Sequence, residues 1–357
     1  MKRSKTIFIA ILDWGLGHAT RCVPIIRYLE TQGCTLHIGS SGNSLLWLQW
    51  QFPLLKFHEL PDYNIRYSRS LSQAFAVMMQ WNKIRNTIRL ENDALHKLVL
   101  QNTFDAIISD NRYGCYHKDI PSYILTHQLH LKLPLGLSCL SGIADNIIKS
   151  LLMPFNEVWI PDEVGNDNLG GDLSHPAFKT ISCKYCGLLS RFENYLITEP
   201  IYDILVILSG PEPQRTELEN IVVRQLNSLT TIKSCLVRGT TKSFTSFQAA
   251  SHIQVINLAG EVQLKKLIEE SRLIVCRSGY SSIMDLQHSG KKLLLIPTPG
   301  QTEQEYLAKH FNKQTGCLIQ KQSEVQIQKA LEASSCASLN WKVNEKIYPI
   351  LERSLLQ

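Results

Sequence analysis

The chain has 357 residues, which at roughly 150 residues per domain suggests about two domains. Hydrophobic residues make up 44% and charged residues 19%, which excludes wholesale disorder; a chain this long buries enough surface to need no disulfide framework or structural metal. Lys and Arg number 37 against 31 for Asp and Glu, and the resulting +6 is too modest to imply nucleic-acid binding.

The N-terminus is basic at Lys2, Arg3 and Lys5, but the apolar run over 7–12 stops at Asp13, too short for a secretory core. No stretch reaches the roughly 20 apolar residues of a membrane span. The ten cysteines are irregularly spaced, and the one CxxC, Cys183 to Cys186, has no second pair and no nearby His. Buried thiols on a strand fit it better than a metal site. The expectation is a cytoplasmic protein with no metal.

Short β-branched or aliphatic runs, Gly-bearing loops and helical patterns alternate, the signature of βα units around a parallel sheet. Residues 6–12 read as the first strand. The next helix carries Cys22, Ile25, Ile26 and Leu29 on one face and stops at Gly33. Pro24 fits that helix only if it starts near Ala19, leaving Pro24 close to the first turn. Further strands are expected at 35–39, 54–59, 104–109, 122–126 and 157–160. Residues 162–176 turn to Gly, Asn, Asp and Ser and read as a long loop. A second series follows at 203–208, 232–237, 254–258, 272–276 and 292–296. The boundary falls near 187–200, giving an N-terminal domain over 1–190 and a C-terminal domain over 191–357, whose last helix is free to pack back on the first.

The loops after these strands carry the chemistry. Asp13-Trp14-Gly15-Leu16-Gly17-His18-Ala19-Thr20-Arg21 opens the first helix, where glycines allow close approach and free N–H groups suit an anion. Thr20 stands where a dinucleotide fingerprint needs its third Gly, and the strand at 35–39 ends without an acid, so NAD is not expected. His18 at a strand edge suits a general base or a phosphate donor, with Arg21 on the same helical face. Ser209 and Gly210 precede a helix entered through two prolines. Arg277-Ser278-Gly279-Tyr280-Ser281-Ser282 opens another helix that would cradle a diphosphate, with Asp285 one turn on to accept from ribose hydroxyls. Thr302 and Glu305 read as a capping box, leaving Gln304 exposed at the helix start.

Taken together, these residues resemble the family 28 glycosyltransferases, whose best-known member adds N-acetylglucosamine to the lipid-linked peptidoglycan precursor. The resemblance rests on Gly187-x-x-x-Arg191, Ser209-Gly210, Arg277-Ser278-Gly279, Gln304-Glu305 and the Gly15-x-Gly17-His18 loop, and runs in the C-terminal half from Gly187 to about Gly316. The whole chain is similar to a bacterial glycosyltransferase group bearing DWGLGHATR, SDNR, THQL, SGPEPQR and PTPGQTEQEYLA. The resemblance implies an α/β GT-B fold, two Rossmann-like domains facing across a cleft. It places a donor diphosphate over Ser209, Gly210 and residues 278–282, with Arg191 by the nucleotide and Asp285 where the family has a ribose-binding Glu. Glu305 departs from the family's second Gln at the donor sugar, and an acid cannot donate as an amide does.

The expected reaction is metal-independent, inverting hexosyl transfer from a UDP-sugar, such as UDP-GlcNAc, to the hydroxyl of a glycan, lipid-linked or cell-envelope acceptor. His18, Asp13 or Asp110 would take the proton, and helix N-termini and arginines would stabilise the leaving diphosphate in the absence of a D-x-D motif. No cofactor is implied beyond the nucleotide sugar as substrate, with Gly15 and Gly17 on its path. Arg21, Asn111, Arg112, His127 and Gln128 are assigned to the acceptor side. Gly-x-Gly-His-Ala-Thr-Arg-Cys also looks like the first loop of the nucleotide-sugar hydrolases of pseudaminate synthesis. A non-catalytic nucleotide-sugar-binding subunit is the rival from another class. Arg66, Arg69, Lys83, Arg85 and Arg89 occur without an acid between 63 and 90, beside Leu71, Phe75, Met78, Trp81, Ile84 and Ile88 at helical spacing. That stretch reads as a core-facing helix with a solvated basic face, or as a peripheral contact with anionic membrane on its inner face.

Overall fold

The computed structural model describes residues 3–64, 79–133, 141–192, 194–210, 212–240, 248–315, 317–333 and 347–356. They form two compact units, one of Met1–Leu189 with Lys342–Gln357 and one of Ser190–Trp341.

The first unit runs β1 (Thr6–Ile11), α1 (Leu16–Thr31), β2 (Thr35–Ser40), α2 (Gly42–Gln51), β3 (Lys56–Glu59), α3 (Trp81–Gln101), β4 (Ala106–Asp110), β5 (Ser122–Leu125), α4 (Ser141–Leu152), β6 (Glu157–Ile160) and β7 (Cys183–Tyr185). Its strands pair in parallel in the order β3-β2-β1-β4-β5-β6-β7. Parallel strands covered on both faces read as continuous apolar runs, and Ile7, Phe8, Ile9, Ala10 and Ile11 are all fully buried.

The second unit runs β8 (Tyr202–Ile207), α5 (Gln214–Ser228), β9 (Ser234–Val237), β10 (Ile253–Ile256), α6 (Glu261–Glu269), β11 (Ser271–Cys276), α7 (Tyr280–Leu286), β12 (Lys292–Leu295), α8 (Thr302–Thr315), β13 (Leu318–Ile319) and α9 (Ile327–Glu332). Its parallel order is β10-β9-β8-β11-β12-β13. Ile204, Val206, Leu273, Val275 and Leu294 meet Leu218, Val222 and Leu226 in its core. Each such side chain contributes about 1.5–3 kcal/mol by leaving water.

Both sheets reverse their strand order once, between β1 and β4 and between β8 and β11. A crevice opens at the carboxyl ends of the strands beside such a reversal, and ligands of α/β sheets bind there.

Local structure departs from the sequence reading in places. Helix α1 begins at Leu16 rather than near Ala19, so Pro24 lies in its interior and donates nothing to the Thr20 carbonyl. Full burial of Cys22, Val23, Ile25 and Ile26 offsets that loss. The 162–176 loop is organised by one side chain: Asp162, fully buried, accepts from the N–H groups of Glu163, Leu169 and Gly170 and from Ser174 Oγ. Helix α10 (Ile347–Leu351) and the turn after it pack within the first unit: Tyr348 stacks on Tyr28 with ring centroids 4.5 Å apart, and Tyr123 donates to the Ser354 carbonyl at 2.8 Å. Among the described residues no helix is long and apolar enough to cross a membrane. Arg66, Arg69, Leu71, Phe75 and Met78 lie outside the described residues.

Candidate active site

The reversal in the first sheet assembles a buried polar cluster. Leu12 N–H donates to the Asp110 carbonyl at 3.1 Å, which ties the end of β1 to the end of β4. Gly15, at φ +81°, then turns the chain directly into α1, a conformation that other residues adopt only with strain. His18 therefore sits in the first turn of α1, with Nδ1 3.0 Å from Asp110 Oδ1. Arg21 Nε lies 2.8 Å from Asp110 Oδ2, and its Nη2 bonds Oδ1, so the guanidinium spans both oxygens. Cys22 Sγ donates to Oδ2 at 3.2 Å. Arg21 Nη1 reaches Nδ1 of His127, just past β5, at 3.0 Å.

The electrostatics assign roles. Burial favours a neutral Asp110 carboxyl, but the Arg21 charge and His18 overcome it and hold the group well below the usual carboxylate range. Asp110 is therefore an acceptor, not a proton shuttle. It must accept the Nδ1–H of His18, which leaves the Nε2 lone pair for chemistry. Burial lowers the His18 pKa from its ordinary value; Arg21 and His127 push the same way and Asp110 opposes them. His18 keeps 13% of its side chain exposed, while Asp110 keeps none.

The other residues assigned to this side have different surroundings. Asp13 caps α2: its carboxylate accepts from the N–H groups of Asn43 and Ser44 at 3.1 Å and from Ser44 Oγ at 2.7 Å. Arg112 is fully buried and donates to the Ile11 and Pro61 carbonyls, Ser41 Oγ and Glu91, so it braces the loops from behind and faces no acceptor. Asn111 has a φ of +53°, and its Oδ1 is buried with no hydrogen-bond partner among the described residues. Gln128 is half-buried, with its N–H on Thr126 Oγ1 at 3.2 Å, and Gly17 accepts from Thr20 Oγ1.

In the second unit the loops after β8, β11 and β12 all lie at the carboxyl edge of the sheet. Gly210 has a φ of +100°, and a Cβ there would meet nothing within 4 Å, so the backbone borders open space. Gly279 is the residue from which α7 starts, with half-buried Ser281 and Ser282 in its first turn. Ser278 is buried and donates to the Gln304 carbonyl at 2.8 Å. Gln304 is only 9% exposed, contrary to the expected exposure, and its Oε1 accepts from Thr298 N–H at 2.8 Å. Helix α8 starts at Thr302 itself, so Glu305 is the exposed member and donates its N–H to the Gln301 carbonyl. Arg277 is almost wholly buried and binds the carbonyls of Gln214, Ile296 and Pro297 together with Gln322 Oε1. Those bonds brace the loops, while its Nε is buried without a partner among the described residues.

Arg191 stacks over Phe192 at 4.9 Å and pairs with Asp285 Oδ2 at 3.0 Å. Asp285 also accepts from Ser190 Oγ and Arg191 N–H, so this carboxylate orders residues 190–191. Around these loops Gln214 Oε1, Thr298 Oγ1 and Gln301 Oε1 are buried without a partner among the described residues. Orphaned buried polar atoms cost free energy, and a polar ligand would satisfy them. Ser209 is half-buried beside them in sequence.

The sequence reading missed Glu91 and Tyr63. Glu91, fully buried on α3, accepts from Arg112 Nη1 and Gly114 N–H at 3.0 Å and from Tyr63 O–H at 2.8 Å. Burial pushes its carboxyl up to about 7 against the pull of Arg112, Tyr63 and Gly114. The signal was present: Glu91 interrupts the buried stripe of Ile84, Thr87 and Leu95. Tyr63 in turn meets Trp14 of the first loop edge-on, with ring centroids 6.2 Å apart.

Comparison with known proteins bears on these loops. Residues 236–342 match the glycosyltransferase family 28 C-terminal domain. No curated protein matches the chain by sequence. Among solved structures, the calicheamicin glycosyltransferase CalG4 is similar with a TM-score of 0.61 at 12% identity, covering 99% of this chain and 94% of its own. MurG of Acinetobacter baumannii gives a TM-score of 0.55 at 13% identity, with 92% and 89% covered. The spinosyn rhamnosyltransferase SpnG, complexed with thymidine diphosphate, gives 0.60 at 10% identity, with 92% and 88% covered. Residues 236–342 thus carry a glycosyltransferase family 28 C-terminal domain, and the two-unit α/β architecture is that of the GT-B glycosyltransferases.

Proposed function

We propose that this glycosyltransferase moves a hexosyl group from a nucleoside-diphosphate sugar to an acceptor hydroxyl with inversion, His18 acting as the base. The His18–Asp110 pair at the first sheet's switch point carries the reading. Asp110 holds Nδ1–H, and Nε2 accepts the acceptor proton as its oxygen attacks the anomeric carbon opposite the leaving diphosphate. The second unit holds the donor. Backbone N–H groups at Gly210 and at the start of α7 would stabilise the diphosphate as it departs. The buried atoms of Gln214, Thr298 and Gln301 are suited to the donor's hydroxyls. Uridine diphosphate is the nucleotide carrier favoured by the family resemblance, and thymidine diphosphate, found in the SpnG complex, is the second.

The acceptor reading is a glycan or lipid-linked hydroxyl of the cell envelope. Its support is the exposed basic face of α3, where Arg85 and Arg89 stand with Asn82 and Asn86, which suits anionic membrane lipid on the cytoplasmic side. Hydrolysis is the second reading, favoured by the joint contact of Arg21 and Cys22 with Asp110, since both residues belong to the loop shared with nucleotide-sugar hydrolases.

A thermal-shift screen of UDP-, TDP-, GDP- and CMP-sugars, followed by product analysis of the best binder, tests the function. Transfer releases the free nucleotide (a nucleoside diphosphate, or CMP from a CMP-sugar) only when an acceptor is present. Free nucleotide plus free sugar without acceptor gives hydrolysis, and binding without turnover under any acceptor gives the non-catalytic subunit. The rate–pH profile provides a further check. A base is active when neutral, so activity falls as pH drops through the pKa of His18, and its lowered value places that acid limb below pH 6.5. An acid limb above pH 6.5 would exclude His18 as the titrating base.

A further inference from the structure

We propose that Arg21 is a positioning residue: by taking both oxygens of Asp110 it decides how firmly that carboxylate holds His18. The proposal rests on the reading of His18 as the base.

A carboxylate offers about four acceptor sites, and Asp110 has four donors on it. His18 Nδ1 and Arg21 Nη2 share Oδ1, while Arg21 Nε and Cys22 Sγ share Oδ2. Arg21 is 1% exposed, so it cannot serve the acceptor directly as the sequence suggested. Its third contact, Nη1 to His127 Nδ1, fixes the rotation of the guanidinium plane from the β5 side. Several elements contribute groups to the cluster: Arg21 and Cys22 come from α1, Asp110 from β4 and His127 from the loop after β5, and Tyr113, half-buried just after β4, feels the charges of both Arg21 and Asp110. Beyond β7, Cys186 feels the charges of Arg21, Asp162 and Glu163.

The consequence is a division of labour. A buried Asp110 without a cation would bind an imidazolium tightly and leave His18 protonated, useless as a base. A cation with no geometric constraint would neutralise the carboxylate but let it rotate away from Nδ1. The planar guanidinium cancels the charge and holds both oxygens in place, so His18 is oriented without being made strongly basic. Lysine, a point charge, would bridge only one oxygen.

The test is a histidine-resolved NMR titration of the full chain without ligand, in the wild type and in Arg21→Lys and Arg21→Gln. The wild type should show His18 as the Nδ1–H tautomer. In Arg21→Gln its midpoint should rise by about one pH unit, a tenfold gain in proton affinity, and in Arg21→Lys by less. The His37 and His58 signals, from residues on β2 and β3, should not move and serve as internal controls. An unmoved His18 midpoint in a folded variant overturns the proposal. So does an Nε2–H tautomer in the wild type, a measurement that needs no variant to fold. Because no substrate is used, the outcome is separable from the function: expected titrations with no turnover on any nucleotide sugar would sink the transferase reading and leave the Arg21 assignment standing.

Discussion

His18→Ala lowers turnover by roughly 10²–10⁴ while the affinity for the nucleotide sugar stays at the wild-type value. The expectation separates chemistry from binding. Gly210, Gly279 and Thr298, proposed to hold the donor, belong to the second unit, whereas His18 belongs to the first, so its replacement leaves the fold of those loops unchanged. Asp110→Asn should give a partial version of the same defect, because an amide can accept from Nδ1–H but cannot pair with Arg21. Donor affinity by calorimetry and turnover by product release measure the two terms. Unchanged turnover in His18→Ala removes the residue from the mechanism.

Glu91→Ala destabilises the first unit by about 3–5 kcal/mol, which for a unit of this size lowers its melting temperature by on the order of 10 °C. Removing one member of a buried pair leaves the other as an uncompensated charge. Here that member is Arg112, whose remaining bonds are to carbonyls and a hydroxyl. The measurement belongs at about pH 8, above the pKa of about 7 at which burial places Glu91, so that the carboxylate being removed is ionised. Circular dichroism melts read the shift. A loss below about 1 kcal/mol would mean that Arg112 is satisfied without Glu91. Because the network also holds Ile11 and Ser41 at the ends of β1 and β2, its loss should loosen the His18 loop as well.

The way these residues were and were not readable from sequence has a physical pattern. His18, Asp110 and His127 were each found because a polar residue in the loop at the end of an apolar strand lies at the sheet's carboxyl edge, where ligands gather, and Arg21 because it shares a helical face with His18. That they form one cluster depends on β4 pairing with β1, a non-local fact. Arg112 looked the same as Asp110 in sequence, yet turns inward, because its partner Glu91 is on a helix and nothing in the SDNR stretch reveals it. Gln304, expected to be exposed, is buried because each step along a helix turns a residue by about 100°, so a small shift in where α8 begins changes which residues face inward. Asp285 and Arg277 were read as open to ligand, but whether a charged residue at a helix start faces out depends on what is packed against it. Their partners, Arg191 and Gln322, come from distant segments.

The return of residues 347–356 to the first unit sets the order in which the chain can assemble. The second unit is an insertion within the first, so the first cannot be completed when its sheet has been synthesised. Tyr28 and Tyr123 wait for Tyr348 and Ser354, which are made only after the whole second unit has emerged. Cutting the chain near residue 190 would therefore yield one unit with its sequence intact and another missing part of its own packing. The half that bears His18 is the one left incomplete.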